Sequence, residues 1–522
     1  MTGQITRARL ILLAVFTAGM TTLAIEITAA RLLGTVFGTS NIVWANIIGL
    51  ILIYLAAGYF IGGRWADRSP HADTFYRIIA WGAFTAGMVP LVARPVLRQA
   101  AVAVQALDAA IMAGSFVSVL ILFVVPITLL ACVSPFAIRL SITEMREAGR
   151  TAGRVYALST VGSILGTFLP VLWLIPTVGT ARTFLLFSLV LLVVALGGLA
   201  YESGIRRMLR YAWMPFVLIG LSVLVLEGPI KDGSLYETES SYNYIQVVEN
   251  NGVRVLYLNE GLAEHSIYLP EEGAPPYGYG TWEMFLAAPF FNRPPFELDD
   301  LKRVGIIGLA AGTIAKQYSD VFGPVPIDGW EIDPEIIRVG REYFDMNEPN
   351  LNAIVADGRW GLQQSEQLYS VIAIDAYRAP YIPWQLTSVE FFQNVAEHLD
   401  EQGVLAINVG RTAEDRRLIE AMTGTIQVVL PSVHLVDVPG SFNSILYATR
   451  KPTLATNLVG NLLALEDSGA PPELLQVLNR AIANIRTPPK TDIVFTDDRA
   501  PVERLINSIV FQFVLGGMEG IP

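Results

Sequence analysis

The stretch KRVGIIGLAAGTIAKQY, residues 302–318, decides the fold. Arg303–Leu309 is a short apolar run that meets two turn glycines, Gly308 and Gly312, and a helical pattern follows through Tyr318. A strand passing through a glycine turn into a helix is the opening of a βαβ unit. Outward from there the alternation repeats. Strand PIDGWEID (326–333) leads into helix PEIIRVGREYF (334–344), then strands LNAIVAD (351–357) and YSVIAIDAY (369–377). Helix TSVEFFQNVAEHL (387–399), strand GVLAINVG (403–410), a helix over 412–428 and edge strands near 432–437 and 444–449 complete the pattern. Continuously apolar strands alternating with helices predict an α/β domain with a mostly parallel, buried sheet over 301–510.

Ligands of such sheets bind beyond the carboxyl ends of the strands. Gly308 and Gly312 lie in the first strand-to-helix turn, where missing side chains admit a ligand to the backbone and to a helix N-terminus. Glu331 ends the second strand, positioned to accept both hydroxyls of a ribose. Asp357-Gly358 ends the third strand, where a carboxylate can accept from an adenine amine, and Asp375 ends the fourth, beside the reactive end of a bound nucleoside. Each alone has an ordinary explanation as a turn glycine, helix cap or strand-end acid. Four at successive strand ends point to a nucleoside-binding sheet.

Upstream, YNYIQVVEN (242–250), an Asn-Gly turn and VRVLYLNEG (253–261) read as a β-hairpin, giving a small antiparallel subdomain over 235–290. A Pro/Gly/Tyr-rich stretch at 270–280 precedes a helix carrying Trp282 and Phe285.

The first 228 residues follow another rule. They contain no lysine and hold 16 arginines against 8 acids, whereas the remainder has 20 basic against 39 acidic residues. Apolar runs at about 10–30, 42–62, 76–93, 110–133, 154–175, 180–200 and 211–227 predict seven membrane helices, each near the roughly 20 residues that hydrocarbon about 30 Å thick requires. Residues 97–109 carry Arg98, Gln105 and Asp108 and read as interfacial. Arg7 and Arg9 precede the first run, but no small-residue cleavage site follows, so it reads as a retained helix. Small residues (Gly49, Ala56, Ala57, Gly58, Gly62, Gly63, Gly162, Gly166) permit close helix approach. Most arginines fall at the N-terminus and in the 64–77, 139–154 and 206–210 loops, which puts the N-terminus in the cytoplasm and, after seven crossings, the soluble domain outside. Glu26, five residues before Arg31, reads as a headgroup-level ion pair or cap.

The single cysteine, Cys132, sits in an apolar run, excluding a disulfide framework or thiolate metal cage within the chain. His265, His398 and His434 have no metal-ligand spacing. The acidic second half argues against nucleic acid. The expected partners are the lipid bilayer and a small-molecule amine or nucleoside, with a homo-oligomer or a membrane complex as further possibilities.

With these motifs in place, the chain resembles the membrane-fused relatives of the spermidine synthase (polyamine aminopropyltransferase) family. The resemblance runs through RLLGTVFGTS (31–40), GYFIGGRWADR (58–68), GRVYALSTVGSILGTFLP (153–170), the hairpin, the glycine turn, WEID (330–333), Asp357-Gly358, Asp375 and TDDRAPVE (496–503). It implies a multi-pass helical membrane domain over 1–228 fused to a Rossmann-like methyltransferase/spermidine synthase domain. It also implies decarboxylated S-adenosylmethionine or S-adenosylmethionine as co-substrate, with no tightly bound cofactor. Under it, Gly308, Gly312, Glu331, Asp357, Gly358 and Asn243 hold the nucleoside and Asp375 accepts the proton of an attacking amine. Tyr242, Glu283 and Arg378 fall where the family binds the acceptor.

The departures also matter. Family members carry Gly-Gly-Gly-Asp-Gly in the turn, where this chain has Gly308-Leu-Ala-Ala-Gly312. A second acid three residues after the catalytic one is here Arg378, and the hairpin Tyr-Gln is Tyr242-Asn243. The Tyr-His-Glu of the following helix corresponds to Thr281-Trp282-Glu283. The nucleoside half of the site is retained more fully than the polyamine half. Two other readings therefore stand beside aminopropyl transfer: an S-adenosylmethionine-dependent methyltransferase, and a catalytically silent structural or sensing subunit of a membrane complex.

Overall fold

The computed structural model describes residues 2–37, 41–106, 109–142, 148–225, 233–259, 261, 263–270, 280–377 and 382–515. The chain divides into two compact units, Met1–Tyr244 and Ile245–Pro522.

The first unit is helical: α1 (Thr2–Phe37), α2 (Asn41–Arg68), α3 (Ala72–Ala106), α4 (Ala109–Ala131), α5 (Val133–Ser141), α6 (Ala148–Leu169), α7 (Ile175–Val178), α8 (Thr180–Ser203), α9 (Ile205–Met208) and α10 (Trp213–Val225), then strand β1 (Ser234–Glu239). Among the described residues, six segments are long and apolar enough to cross a membrane: Ile5–Phe37, Val43–Arg68, Ala72–Leu97, Gly114–Ser141, Ala148–Val178 and Thr180–Ser203. Of the expected seventh run, the described helix is α10, whose 13 residues rise about 20 Å, and residues 226 and 227 lie outside the described residues. A side chain at Gly162 or Gly166 would collide with the carbonyls of Phe16 or Met20 on α1, and one at Gly58 or Gly62 with the backbone of Thr128 or Cys132. These four glycines serve close backbone packing, whereas Gly49 and Gly63, expected to do the same, face open space. Outward-facing Phe60, Leu172 and Phe216 are more than two-thirds exposed, as suits an apolar surrounding. The arginine-rich ends come together: Arg7 pairs with Glu202 at 2.9 Å, Arg207 with Asp73 at 3.4 Å, and Arg139 with Asp67 at 3.3 Å.

The second unit opens with antiparallel strands β2 (Tyr244–Asn250), β3 (Val253–Leu258) and β4 (Glu264–Tyr268). Asn250 faces Val253, and the two turn residues, Asn251 (φ 52°) and Gly252 (φ 77°), are both left-handed, as an Asn-Gly hairpin requires. The main sheet comprises β5 (Val304–Ile307), β6 (Ile327–Glu331), β7 (Leu351–Val355), β8 (Tyr369–Ile374), β9 (Leu399–Gly410), β10 (Ser432–Asp437), β11 (Asn443–Thr449) and β12 (Ile485–Arg486), in the order β12-β10-β11-β9-β8-β5-β6-β7. Strands β5 to β9 are mutually parallel, and β10, β11 and β12 add antiparallel pairings at one side. Helices α11 (Thr313–Phe322), α12 (Pro334–Tyr343), α13 (Gly358–Gln363), α14 (Val389–His398) and α15 (Arg417–Gln427) alternate with strands; α16 (Asn457–Ser468), α17 (Pro472–Ala483) and α18 (Val502–Leu515) follow.

The helix expected at Trp282 is a 3₁₀ helix, Trp282–Phe291, with every residue buried. Its buried carbonyls find buried donors: the Tyr318 hydroxyl on Phe285 (2.6 Å), the Tyr447 hydroxyl on Met284 (2.6 Å) and the Asn461 amide on Phe290 (2.7 Å). An irregular apolar segment can sit in a core only when its backbone is satisfied in this way.

Candidate active site

The four strand-end positions form one rim. The backbone N–H of Gly308 donates to Trp330 O (3.0 Å), that of Ala356 to Glu331 O (3.0 Å) and that of Asp375 to Ile307 O (2.9 Å), so the ends of β5 to β8 lie side by side.

The first turn is shaped by conformation. Gly308 (φ 86°) and Gly312 (φ 90°) are left-handed, and Ala310 (φ 48°) joins them. A Cβ on Gly308 would stand 2.7 Å from Ala376 backbone atoms, and one on Gly312 2.5 Å from Met346. These glycines make room for protein neighbours, a role the strand-to-helix pattern alone does not distinguish from ligand approach. The amides of the turn are also taken: Ala310 N–H donates to Glu331 Oε2 (3.0 Å) and Ala311 N–H to Ser266 Oγ (2.9 Å). Thr313 Oγ both accepts from Ile267 N–H (3.0 Å) and donates to Ile267 O (3.1 Å), fastening β4 to the start of α11.

Glu331 is buried, and its Oε1 accepts from the Asp333 N–H (3.1 Å). Burial pushes its carboxyl up to about 7, against the pull of these backbone donors. Asp357 caps α13 by accepting from Trp360 N–H (3.0 Å), and Gly358 beside it is pressed on Ile307, leaving no space for a side chain.

Asp375 is the centre of the polar network. Trp282 Nε1 donates to its Oδ2 (3.0 Å) and Asn408 Nδ2 to its Oδ1 (2.9 Å). Burial raises its pKa and these two donors lower it, with burial prevailing. Asn408 is buried in β9, and its own Oδ1 has no partner among the described residues. Sequence reading missed Asn408, although a polar residue inside GVLAINVG was the available signal. Nothing in sequence pointed to Ser266 or Thr313.

Of the residues expected on the acceptor side, Glu283 alone lies among the described residues of the second unit, and Asn243, expected on the nucleoside side, lies with Tyr242 in the first. Glu283 is fully buried and paired with Arg480, a cation that neutralises it in the core. Tyr242 and Asn243 belong to the first unit, in a turn where Ser240 Oγ accepts from both backbone amides (3.0 and 2.8 Å). Arg31 of α1 holds the same turn through the carbonyls of Ser240 and Tyr242. Arg378 lies outside the described residues. Of the terminal motif, Asp497 forms a two-pronged pair with Arg359 (2.7 Å each) and accepts from Ser388 (2.5 Å), which closes α13 and α14. The histidines lie apart: His434 stacks on Phe291, His398 bridges carbonyls of Asn394 and Ser365, and His265 faces Ala263 O.

The chain is similar to several known proteins. Residues 291–444 match the spermine/spermidine synthase domain. The chain is 32% identical over 286 residues to a probable polyamine aminopropyl transferase of Bifidobacterium longum, covering 52% of this chain and 61% of that protein. It thus spans about three fifths of that relative's length. It is also 24% identical over 196 residues to the human eEF1A lysine and N-terminal methyltransferase, covering 35% of this chain and 26% of that one. Among solved structures, a probable spermidine synthase from Corynebacterium glutamicum aligns with a TM-score of 0.38 at 19% identity, over 50% of this chain and 98% of that chain.

Proposed function

We propose that this chain, whose C-terminal unit carries a spermine/spermidine synthase domain, is a membrane-anchored transferase of the aminopropyltransferase type. The observation that carries the reading is the Asp375 centre: a carboxylate at the end of β8, oriented by two donors, with the unpartnered Asn408 Oδ1 beside it. A substrate ammonium suits that pair, donating to Asn408 Oδ1 and losing a proton to Asp375. The freed amine then attacks the carbon bound to the sulfonium of decarboxylated S-adenosylmethionine. The N–C bond forms, the C–S bond breaks with its electron pair passing to sulfur, and methylthioadenosine departs. A carboxyl whose pKa is raised by burial is a better base for this step than an exposed one. Glu331 and Asp357, along the same rim, are the groups we assign to ribose and adenine, with Gly308, Gly312 and Gly358 shaping the backbone between them.

Calorimetric titration of the detergent-solubilised full chain with methylthioadenosine and with S-adenosylmethionine tests this. Micromolar binding of methylthioadenosine is expected; no binding of either nucleoside below millimolar would end the enzyme readings. One observation favours the catalytically silent alternative. The turn amides already have protein partners and each Asp375 oxygen already accepts one bond, so the site is satisfied without a ligand, and failure to bind would leave a scaffold domain.

For the anchor we propose six crossings, carried by the six long apolar segments. A cysteine appended after Pro522, in a Cys132→Ser background, is then protected from an impermeant thiol reagent in intact cells and labelled after permeabilisation. Labelling of intact cells would restore the seventh crossing.

A further inference from the structure

The carboxyl-end rim continues past Asp375 into a cluster of opposite charge. Arg411, just beyond β9, Arg416, at the start of α15, and Arg486, in β12, converge on Asp437 at the end of β10. Arg416 forms two bonds to its carboxylate (2.9 and 2.6 Å), Arg486 one (3.1 Å), and Arg411 stands at 3.3 Å while donating to Ser444 Oγ (2.9 Å). Asp437 is buried, and Arg411 nearly so. Three guanidiniums therefore share one carboxylate; Asp415, the nearby acid of the β9–α15 loop, is taken by Arg417 at 2.6 Å. The excess is felt by the groups themselves. Burial and the Arg416 and Arg486 charges hold Arg411 below its ordinary value despite Asp437. Asp437, pushed up by burial, is pulled down to about 2 by the Arg416 and Ser444 hydrogen bonds and the arginine charges.

A hollow of about 170 Å³ opens on this cluster, bounded by Arg411, Asp437, Gly440, Ser441, Asn484 and Arg486. It is joined to the Asp375 centre through the sheet. Asn408, bonded to Asp375, lies three residues before Arg411 in an extended chain, a span of about 10 Å. Across the rim, Asn443 Nδ2 donates to Thr281 Oγ (3.2 Å), next to Trp282.

We propose that this arginine hollow binds an oxyanion, the carboxylate or phosphoryl group of an acceptor whose nucleophile reaches Asp375, so that the acceptor is anionic or zwitterionic rather than a simple diamine. Guanidinium forks match oxyanions in pairs, and a local surplus of positive charge beside a hollow is the arrangement that such recognition needs. A dication there meets like charge. Assigning the anion to the acceptor rests on the transferase reading above; the oxyanion site is read separately.

The full chain in detergent is titrated calorimetrically with sodium phosphate, with succinate and with methylthioadenosine, against chloride at matched ionic strength. Saturable binding of at least one oxyanion is expected. It should weaken about tenfold in Arg486→Gln and in Arg411→Gln, the loss of one charge-assisted bond from an arginine that lines the hollow, and be unchanged in Lys451→Gln, whose lysine pairs with Glu401. Two variants are used because Arg486 also seats β12. Preference for succinate assigns a carboxylate, and preference for phosphate a phosphoryl group. Heats no different from chloride, or wild-type affinity in both arginine variants, overturn the proposal. Methylthioadenosine binding without oxyanion binding rejects this site and spares the transferase reading; the reverse rejects that reading and keeps the site.

Discussion

The two halves of one sheet edge are built on opposite electrostatic plans. From β5 to β8 the strand ends carry Glu331, Asp357 and Asp375, with backbone folded tightly around glycines. From β9 to β12 they carry Arg411, Arg416 and Arg486 around a single buried Asp437. On the proposed reading, the first half supplies acceptors for an adenosine's hydroxyls and amine, with turns that leave no room for side chains. In the second half, among the described residues, the arginines outnumber the acid they share. Conservation of a scaffold and conservation of its substrate are separate matters, because a parallel sheet is held by its apolar strands while its rim is free to change charge.

The sharpest way to break this comparison is at its hinge. Asp375→Asn keeps the shape and removes the base, its amide oxygen still accepting from Trp282 and its NH2 facing Asn408, whose Oδ1 can turn to accept; aminopropyl transfer should fall by about 10²–10⁴-fold in a product assay while methylthioadenosine affinity stays within about twofold. Equal activity would remove Asp375 from the reaction. Gly308→Ala comes next: it forces a side chain into a left-handed position against Ala376 and should cost about 2 kcal/mol or more, seen as a lowered thermal midpoint.

The acidic half can then be read by pH. Glu331 titrates near 7 in the folded protein, raised from 4.5, so between those values the folded state holds the extra proton. Ribose hydroxyls donate best to the ionised form, so methylthioadenosine affinity should rise by at most about tenfold from pH 6 to pH 8. Glu331→Gln should flatten that dependence, and an unchanged profile would detach Glu331 from the ligand. The smallest expected effect is Trp282→Phe. Losing the Nε1–H donor removes a stabiliser of ionised Asp375, raising its pKa, so the acid limb of the pH–rate profile moves to higher pH while the fold is kept.

Much of this was legible in the chain. The period-two and helical patterns gave the order of most strands and helices, including the Asn-Gly hairpin, but not β4 or the short α13 between β7 and β8. The apolar runs gave six of the candidate spans. The strand-end acids were readable because a parallel sheet fixes where its carboxyl ends lie, so Glu331, Asp357 and Asp375 had to share an edge. The start of α10 at Trp213 was not, because an apolar run states how much chain is apolar and not where a helix begins. Nor was the 3₁₀ helix at Trp282–Phe291, whose irregular backbone is sustained by Tyr318, Tyr447 and Asn461 from distant segments.

Sequence by itself determined the two apolar and α/β halves, and the row of acids at the strand ends, since periodicity and chain direction are local properties. Only the tertiary structure decided which neighbours those acids meet: Trp282 and Asn408 on Asp375, backbone amides on Glu331, and three arginines on Asp437. Those side-chain partners come from residues 21 to 93 positions away, and the energy of a buried charge is set by what surrounds it in space.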